Sequence, residues 1–132
     1  MILINTAGEI LLQLRDNNPA IVDPNKLSLF AGGVLPGETK EHAAQRELFE
    51  ETTIRSNDLK YLFTYQTDME RFGRVAKSHV FLLQGVDENL VDVQEGQGYR
   101  KIEGVADLDS HEFALISEEI LRTYFDKYAA KS

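Results

Sequence analysis

Apolar residues along this chain occur in short runs separated by polar or glycine-containing segments, a pattern typical of β-strands. The runs at 1–4 (MILI) and 10–14 (ILLQL) flank a turn signal, NTAG, so we expect a β-hairpin there. Further strands are predicted at 27–30, 59–67, 78–86 and 99–105. The intervening segments 16–26, 68–77 and 87–98 are predicted to be loops.

Two segments have the signals of helices instead. Residues 39–52 begin with Thr39, a favourable N-cap, and carry Glu41 in the first turn, where the helix dipole favours a negative charge. A second helix is predicted from Ser117, with an apolar stripe of Ile120, Tyr124 and Tyr128. Strands and helices therefore follow one another as strands, helix, strands, helix, which predicts an α+β fold with a mixed sheet.

Composition places the chain among single-domain globular proteins. Its 132 residues favour one domain over 1–132, and 42% hydrophobic with 27% charged residues is ordinary for that class. No apolar run is long enough to cross a bilayer, and no signal peptide is visible, so we expect a cytoplasmic protein without a membrane partner. The absence of cysteine excludes disulfides and thiolate chemistry.

The net charge of −8 argues against a nucleic-acid polymer as the main partner, because phosphate backbones favour basic surfaces. It leaves room for a small phosphorylated ligand, since a divalent metal and a few local cations can reverse the charge inside one pocket. Taken alone, an acidic balance is a feature of solubility.

The predicted helix at 39–52 gathers carboxylates on one face. At 100° per residue, Glu47, Glu50 and Glu51 fall within an arc of about 100°, whereas Leu48 and Phe49 point away, toward the expected core. Like charges at these spacings repel, so a partner is expected. Either a nearby cation such as Arg46 or a hard divalent metal would serve, and a solvated acidic face is the alternative.

The spacing around these carboxylates is more specific than the carboxylates themselves. Gly32 is followed after five residues by Glu38, and after seven more by Arg46-Glu47-Leu48-x-Glu50-Glu51-x-x-Ile54. This stretch, residues 32–54, resembles the Nudix box, G-x5-E-x7-R-E-U-x-E-E-x-G-U, where U is aliphatic. Eight of the nine specified positions agree, and the six matching Gly, Glu and Arg positions would agree by chance on the order of 10⁻⁷ per starting point.

One position departs from the pattern. Thr53 stands where the family usually has glycine, and a β-branched residue is disfavoured at positive φ. We therefore expect either a remodelled turn or a helix that runs one residue further. The resemblance extends to ILLQLRD before the box, to EGQG at 95–98 and to the closing helix. It implies a Nudix fold, a mixed sheet sandwiched between α-helices.

The resemblance also implies a site. Glu50 and Glu51 are expected as the main Mg²⁺ ligands, with Glu47 supporting them or orienting a metal-bound water, and Mn²⁺ could substitute for Mg²⁺. Arg46 is expected to orient a glutamate. Glu95 is either the general base, a further metal ligand or a solvated loop residue.

Further residues are expected to contact phosphate or substrate. Glu38 would stabilise the loop or join an outer metal shell, and Gly32 and Gly33 would let the backbone approach the metal or phosphate. Arg15, Arg74, Lys77 and His79 are candidate substrate cations, each with a plain surface role as the alternative. The aromatic residues that could stack on a base, or fill the core instead, are Tyr61, Phe63, Tyr65, Phe72 and Phe81.

Nudix enzymes typically hydrolyse a nucleoside diphosphate linked to another group. The resemblance thus implies a small nucleoside diphosphate derivative as substrate: a nucleotide sugar, ADP-ribose, a dinucleoside polyphosphate or a nucleoside triphosphate. The alternative is a catalytically silent regulator that binds a nucleotide, although such domains usually lose box carboxylates. An isomerase of the same fold would need a cysteine. A homodimer is the assembly that the family suggests.

Overall fold

The computed structural model describes residues 1–67, 76–114 and 116–129. The two helices of these ranges are α1, Lys40–Thr52, and α2, Ser117–Lys127. The strands are β1 Ile2–Asn5, β2 Ile10–Leu14, β3 Leu27–Ser28, β4 Lys60–Thr67, β5 Ala76–Val86 and β6 Tyr99–Ile102. Short 3-10 turns cover Glu88–Leu90 and Val105–Asp109.

The strands form one mixed sheet in the order β3-β2-β1-β5-β4, with β6 also paired to β2. β1 runs parallel to β5, whereas the β1–β2 and β4–β5 pairs are antiparallel. Neighbouring residues of the central strands face opposite sides, so that Ile2 lies in one hydrophobic core and Leu3 in the other. α2 covers the first core through Ile120 and Leu121, and α1 covers the second.

The predicted sandwich of a mixed sheet between helices is therefore confirmed. α1 contributes Ala44 and Leu48 to its core, and Leu48 is fully buried. Phe49, which was predicted to face the core, is instead 38% exposed, with the Arg55 guanidinium 3.8 Å from its ring centre. The prediction was wrong because Phe49 lies beside the buried face of α1, which is formed by Ala44, Leu48 and Thr52.

Three strand boundaries differ from the sequence-based expectation, each for a local reason. The third strand ends at Ser28 because Leu29 N–H donates to Ser117 Oγ (3.1 Å). β5 begins at Ala76, inside the predicted loop 68–77, because Lys77 and Ala76 pair with β4. The last strand ends at Ile102.

After Ile102, the Asp107 carboxylate accepts hydrogen bonds from the N–H groups of Glu103 (2.7 Å) and Gly104 (3.1 Å). These bonds end the strand and lead the chain into a 3-10 helix. The remaining part of the predicted loop, 68–75, lies outside the described residues. Among the helices that the structure describes, none combines the length and the apolar character needed to span a bilayer.

Candidate active site

The box helix begins as predicted and ends in an unexpected way. Thr39 Oγ1 accepts the His42 N–H (3.1 Å) and caps the N-terminus. At the other end, Thr53 takes the left-handed conformation itself, with φ 64°, while its N–H donates to Phe49 O (2.8 Å). Neither expected change occurs, since the helix stops where a glycine would stop it. Thr53 therefore adopts a left-handed backbone conformation that is unfavourable for a β-branched residue.

Thr53→Gly is expected to stabilise the fold without touching the carboxylates. Relief of the left-handed strain, less the greater flexibility of glycine in the unfolded chain, gives about 1 kcal/mol, or a rise in Tm of a few degrees. Thr6→Gly is the control, because Thr6 is an exposed turn residue outside the left-handed region. Equal changes in Tm for the two variants would contradict this explanation.

The centre of the site is the Arg46 guanidinium. Nε and Nη2 donate to the two carboxylate oxygens of Glu38 at 2.7 and 2.9 Å. Nη1 donates to Glu47 Oε1 (2.6 Å) and Glu50 Oε2 (3.1 Å), and Nη2 also donates to Gly33 O (2.7 Å). One side chain therefore holds the box loop and two carboxylates of α1 in fixed relative positions.

Glu38 anchors the loop before the helix. Its Oε1 also accepts the Leu35 N–H at 2.8 Å, so the carboxylate closes the turn 35–38. The hydrogen bonds from Arg46 and from Leu35 lower the pKa of Glu38 to about 2, and the same pairing raises the pKa of Arg46. The pair consequently stays ionised around neutral pH.

Gly32 makes room for Glu47. A Cβ built on Gly32 would overlap the carboxylate of Glu47, which lies directly against the glycine and is 9% exposed as a residue. Next to it, a Cβ on Gly33 would meet open space. The role of Gly32 in this structure is therefore to admit the glutamate, which is a contact that the sequence pattern did not reveal.

The surroundings of Glu51 disfavour a negative charge on its carboxyl group. Its Oε2 is buried, and it has no hydrogen-bond partner within the described parts of the chain. Burial raises the pKa of Glu51 to about 7, and the negative charges of Glu95, Glu47 and Glu50 add to the effect. Four carboxylates thus lie close enough to act on one another, which is the electrostatic setting in which a cation is stabilised.

The Glu95 loop is fastened to both the helix and the sheet. Gln94 N–H donates to Glu51 O (3.0 Å), and Asp92 N–H donates to Thr52 O (3.0 Å). From the sheet side, the buried Gln13 donates Nε2–H to Glu95 O at 2.9 Å. Gln13 was not a candidate in the sequence, because a single glutamine in an apolar strand has no motif. Only its inward position in β2 could have singled it out.

The donor set fits a divalent cation, with one rearrangement. Across the described ranges, no three acidic or histidine side chains already converge on a point that could hold a metal. Glu47 and Glu50 are turned toward Arg46 instead. The Glu50 side chain is 55% exposed, so it can turn away from Arg46 without losing a buried contact, and Glu51 offers an unpartnered oxygen beside it. Hard carboxylate oxygens of this kind suit Mg²⁺ or Mn²⁺.

Two cavities adjoin Glu47 and Glu50. The outer groove, about 960 Å³, lies on the solvent side of α1 and is lined by His42, Gln45, Arg46, Phe49, Glu50, Arg55, Ser56, Asn57 and Asp58. The inner pocket, about 130 Å³, lies between α1, the box loop and β5. Its polar lining comprises Gly32, Gly33, Lys40, Glu47, Lys77, Ser78 and His79. Arg46 and Glu47, which bind one another, thus contribute to different cavities.

The predicted substrate cations are placed unequally. Lys77 and His79 line the inner pocket, whereas Arg15 lines neither cavity and donates to the carbonyls of Val22 (2.8 Å) and Asp23 (3.2 Å). Arg74 and Phe72 lie outside the described residues. Among the aromatic candidates Phe81 is buried in the core beneath α1, and Phe63 stacks on Tyr128 with ring centres 4.7 Å apart.

Comparison with known proteins agrees with this architecture. The family model for the NUDIX domain matches residues 1–124. An RNA pyrophosphohydrolase of Rhodopseudomonas palustris is 44% identical over 57 residues, which are 42% of this chain and 34% of that protein. The chain therefore matches only about a third of the length of this curated relative.

Solved structures show the same fold along almost the whole chain. The MutT protein from Methanosarcina mazei superposes with a TM-score of 0.76 at 22% identity, covering 98% of this chain and 91% of that one. The NUDIX domain of Shewanella oneidensis NrtR, complexed with ADP ribose, has a TM-score of 0.74 at 15% identity, with coverages of 96% and 83%.

Proposed function

The chain belongs to the Nudix family, and from that premise we propose that it hydrolyses a diphosphate bond in a nucleoside diphosphate derivative, with Mg²⁺ as cofactor. The observation that carries the proposal is the buried, unpartnered Oε2 of Glu51 among the carboxylates of Glu47, Glu50 and Glu95. A cation bound there would offset the repulsion among these carboxylates. When bound, a divalent metal neutralises phosphate oxygens and lowers the pKa of water.

The side chains of the site have separable roles in this proposal. Glu50 and Glu51 hold the metal. In the absence of the metal, Arg46 holds Glu47 and Glu50 close together through its hydrogen bonds to both. Glu47, seated on Gly32, orients water or supports the ligands. Glu95 lies on the loop that faces Glu51 and is our candidate general base, with a role as a further ligand as the alternative.

The substrate range follows from the cavities and the relatives. The outer groove has the volume of a site for a nucleotide-sized ligand and includes Glu50 in its wall. Because relatives named RNA pyrophosphohydrolase match the chain, RNA is a candidate substrate despite the net charge of −8. ADP ribose, found with the NrtR domain, is another candidate. A cytoplasmic location and a homodimer remain predictions.

The test is phosphate release from a panel of nucleotide derivatives, with Mg²⁺, with Mn²⁺ and with a chelator. We expect selective release that requires the metal, and a Mg²⁺-induced rise in Tm that Glu51→Gln removes. Glu103→Gln, an exposed carboxylate outside the site, is the matched control. If a chelator leaves turnover unchanged, the assignment of a metal cofactor is wrong. Tight binding of one compound without turnover would favour the nucleotide-binding regulator.

Gln13 provides a separate test of the Glu95 loop. Gln13→Met keeps the shape but removes the donor to Glu95 O, so we expect kcat to fall about tenfold or less, with KM little changed. Gln97→Met is the comparison, because Gln97 ties the same loop to Arg15 O (2.8 Å) and Asn25 Oδ1 (3.0 Å) instead. Matching losses of kcat in the two variants would show that general loosening, rather than the position of Glu95, is responsible.

A further inference from the structure

The inner pocket is lined by basic side chains from two elements. Lys40 comes from the first turn of α1, and Lys77 and His79 come from alternate residues of β5, all facing the same cavity. Lys77 has no ion-pair partner among the residues that the structure describes, whereas Lys40 pairs with Glu41 (3.1 Å). Both lysines line the inner pocket, where an ammonium group can donate to an anionic ligand.

The orientation of His79 is fixed from outside the pocket. Its Nδ1 is 2.8 Å from Thr64 Oγ1, which in turn lies 2.6 Å from the Tyr61 hydroxyl. When Tyr61 donates to Thr64 and Thr64 donates to Nδ1, the ring proton is placed on Nε2. The other ring nitrogen is then a donor, which suits an anion in the pocket that His79 lines.

The size of the pocket restricts what can enter. A volume of about 130 Å³ corresponds to roughly four waters in the liquid, enough for a phosphate group but well below the 300 Å³ or more of a nucleoside-sized site. The outer groove has that larger volume. The two cavities flank the bonded pair of Arg46 and Glu47, so a substrate lying in both would pass Glu47 and Glu50 with its phosphate chain.

Resting on the proposed function, we propose that the inner pocket binds the terminal phosphate of the substrate through Lys77 and His79. The preferred substrates then carry a free 5′-triphosphate, and not a diphosphate closed at both ends as in ADP-ribose. A nucleoside triphosphate and the 5′ end of a triphosphorylated RNA share this chemistry. The test distinguishes these two substrates by the presence or absence of further nucleotides after the first nucleoside.

The kinetic test compares three substrates: a nucleoside triphosphate, a short 5′-triphosphorylated RNA and ADP-ribose. For Lys77→Gln we expect KM for the first two to rise about tenfold with kcat within about twofold, as for a lost charge-assisted bond to phosphate. KM for ADP-ribose should not change. Lys60→Gln is the matched control, because Lys60 is an exposed lysine on the neighbouring strand and lines neither cavity. Turnover of RNA but not of the free nucleotide would assign the triphosphate to RNA.

A binding measurement keeps this inference separate from the proposed function. Inorganic tripolyphosphate is titrated into the wild-type protein and into Lys77→Gln, His79→Phe and Lys60→Gln, without any turnover being needed. We expect about tenfold weaker binding for the first two variants only. Equal affinities in all four proteins would overturn the pocket assignment even if hydrolysis is found. Selective weakening would support it even if no compound is cleaved.

Discussion

Replacing Glu50 by glutamine is expected to lower kcat at least about 100-fold while leaving Tm within a few degrees of the wild type. The amide keeps the shape and can still accept the bond from Arg46 Nη1 (3.1 Å), but it loses the charge that would hold a metal. Because more than half of the side chain is exposed, folding does not depend on it. The measurement is the rate of phosphate release at saturating substrate, alongside thermal unfolding.

Glu118→Gln is the control for charge, since Glu118 is a surface carboxylate of α2 bound to Arg122 at 2.9 Å. It should retain the wild-type rate. A Glu50→Gln protein that binds substrate well and keeps near-normal turnover would show that this face of α1 does not carry the chemistry. The loss of both turnover and folded structure would instead mean that Glu50 supports the fold through Arg46.

Gly32→Ala is expected to damage both stability and activity. The added methyl group would overlap the Glu47 carboxylate, which is also bound to Arg46 at 2.6 Å, so the glutamate or the loop must move. Forcing an extra carbon into a filled space costs about 1–3 kcal/mol, equivalent to a fall in Tm of several degrees. We expect kcat to fall about tenfold or more, because Glu47 leaves its position.

Gly33→Ala provides an unusually close control, because it makes the same change one residue away. Its Cβ would meet nothing within 4 Å, and its backbone is not in the left-handed region. Tm should stay near the wild-type value, and kcat should fall much less than in Gly32→Ala. If the two alanine variants lose activity to the same degree, then backbone freedom of the loop matters, and the contact between Gly32 and Glu47 does not.

The helical periodicity and the box spacing predicted the arrangement of carboxylates on α1. Both α1 and β2 were located to within a residue, since capping and apolar runs are local signals. What the sequence could not reveal was how the side chains share partners. The spacing of the box did not indicate that Arg46 would bind Glu38, Glu47 and Glu50 at the same time.

Contacts between distant segments were likewise hidden. Gln13 and Glu95 are 82 positions apart, and their hydrogen bond exists only because β2 runs beneath the loop. The helical wheel directs Phe49 toward the core, yet its ring is 38% exposed and lies against the Arg55 guanidinium. Thr53 was expected to change the end of the helix, and the backbone adopted the left-handed conformation regardless. Local preferences were overridden in each case by tertiary structure.

The position of the carboxylates along α1 has a consequence for protein engineering. Glu50 and Glu51 occupy the last turn, where the helix dipole is negative, and no basic residue accompanies them. Lysines at these positions would give a more stable helix. Substitutions chosen for thermostability alone would thus remove the carboxylates that the proposed metal site requires, so stability and function oppose one another at this end of the helix.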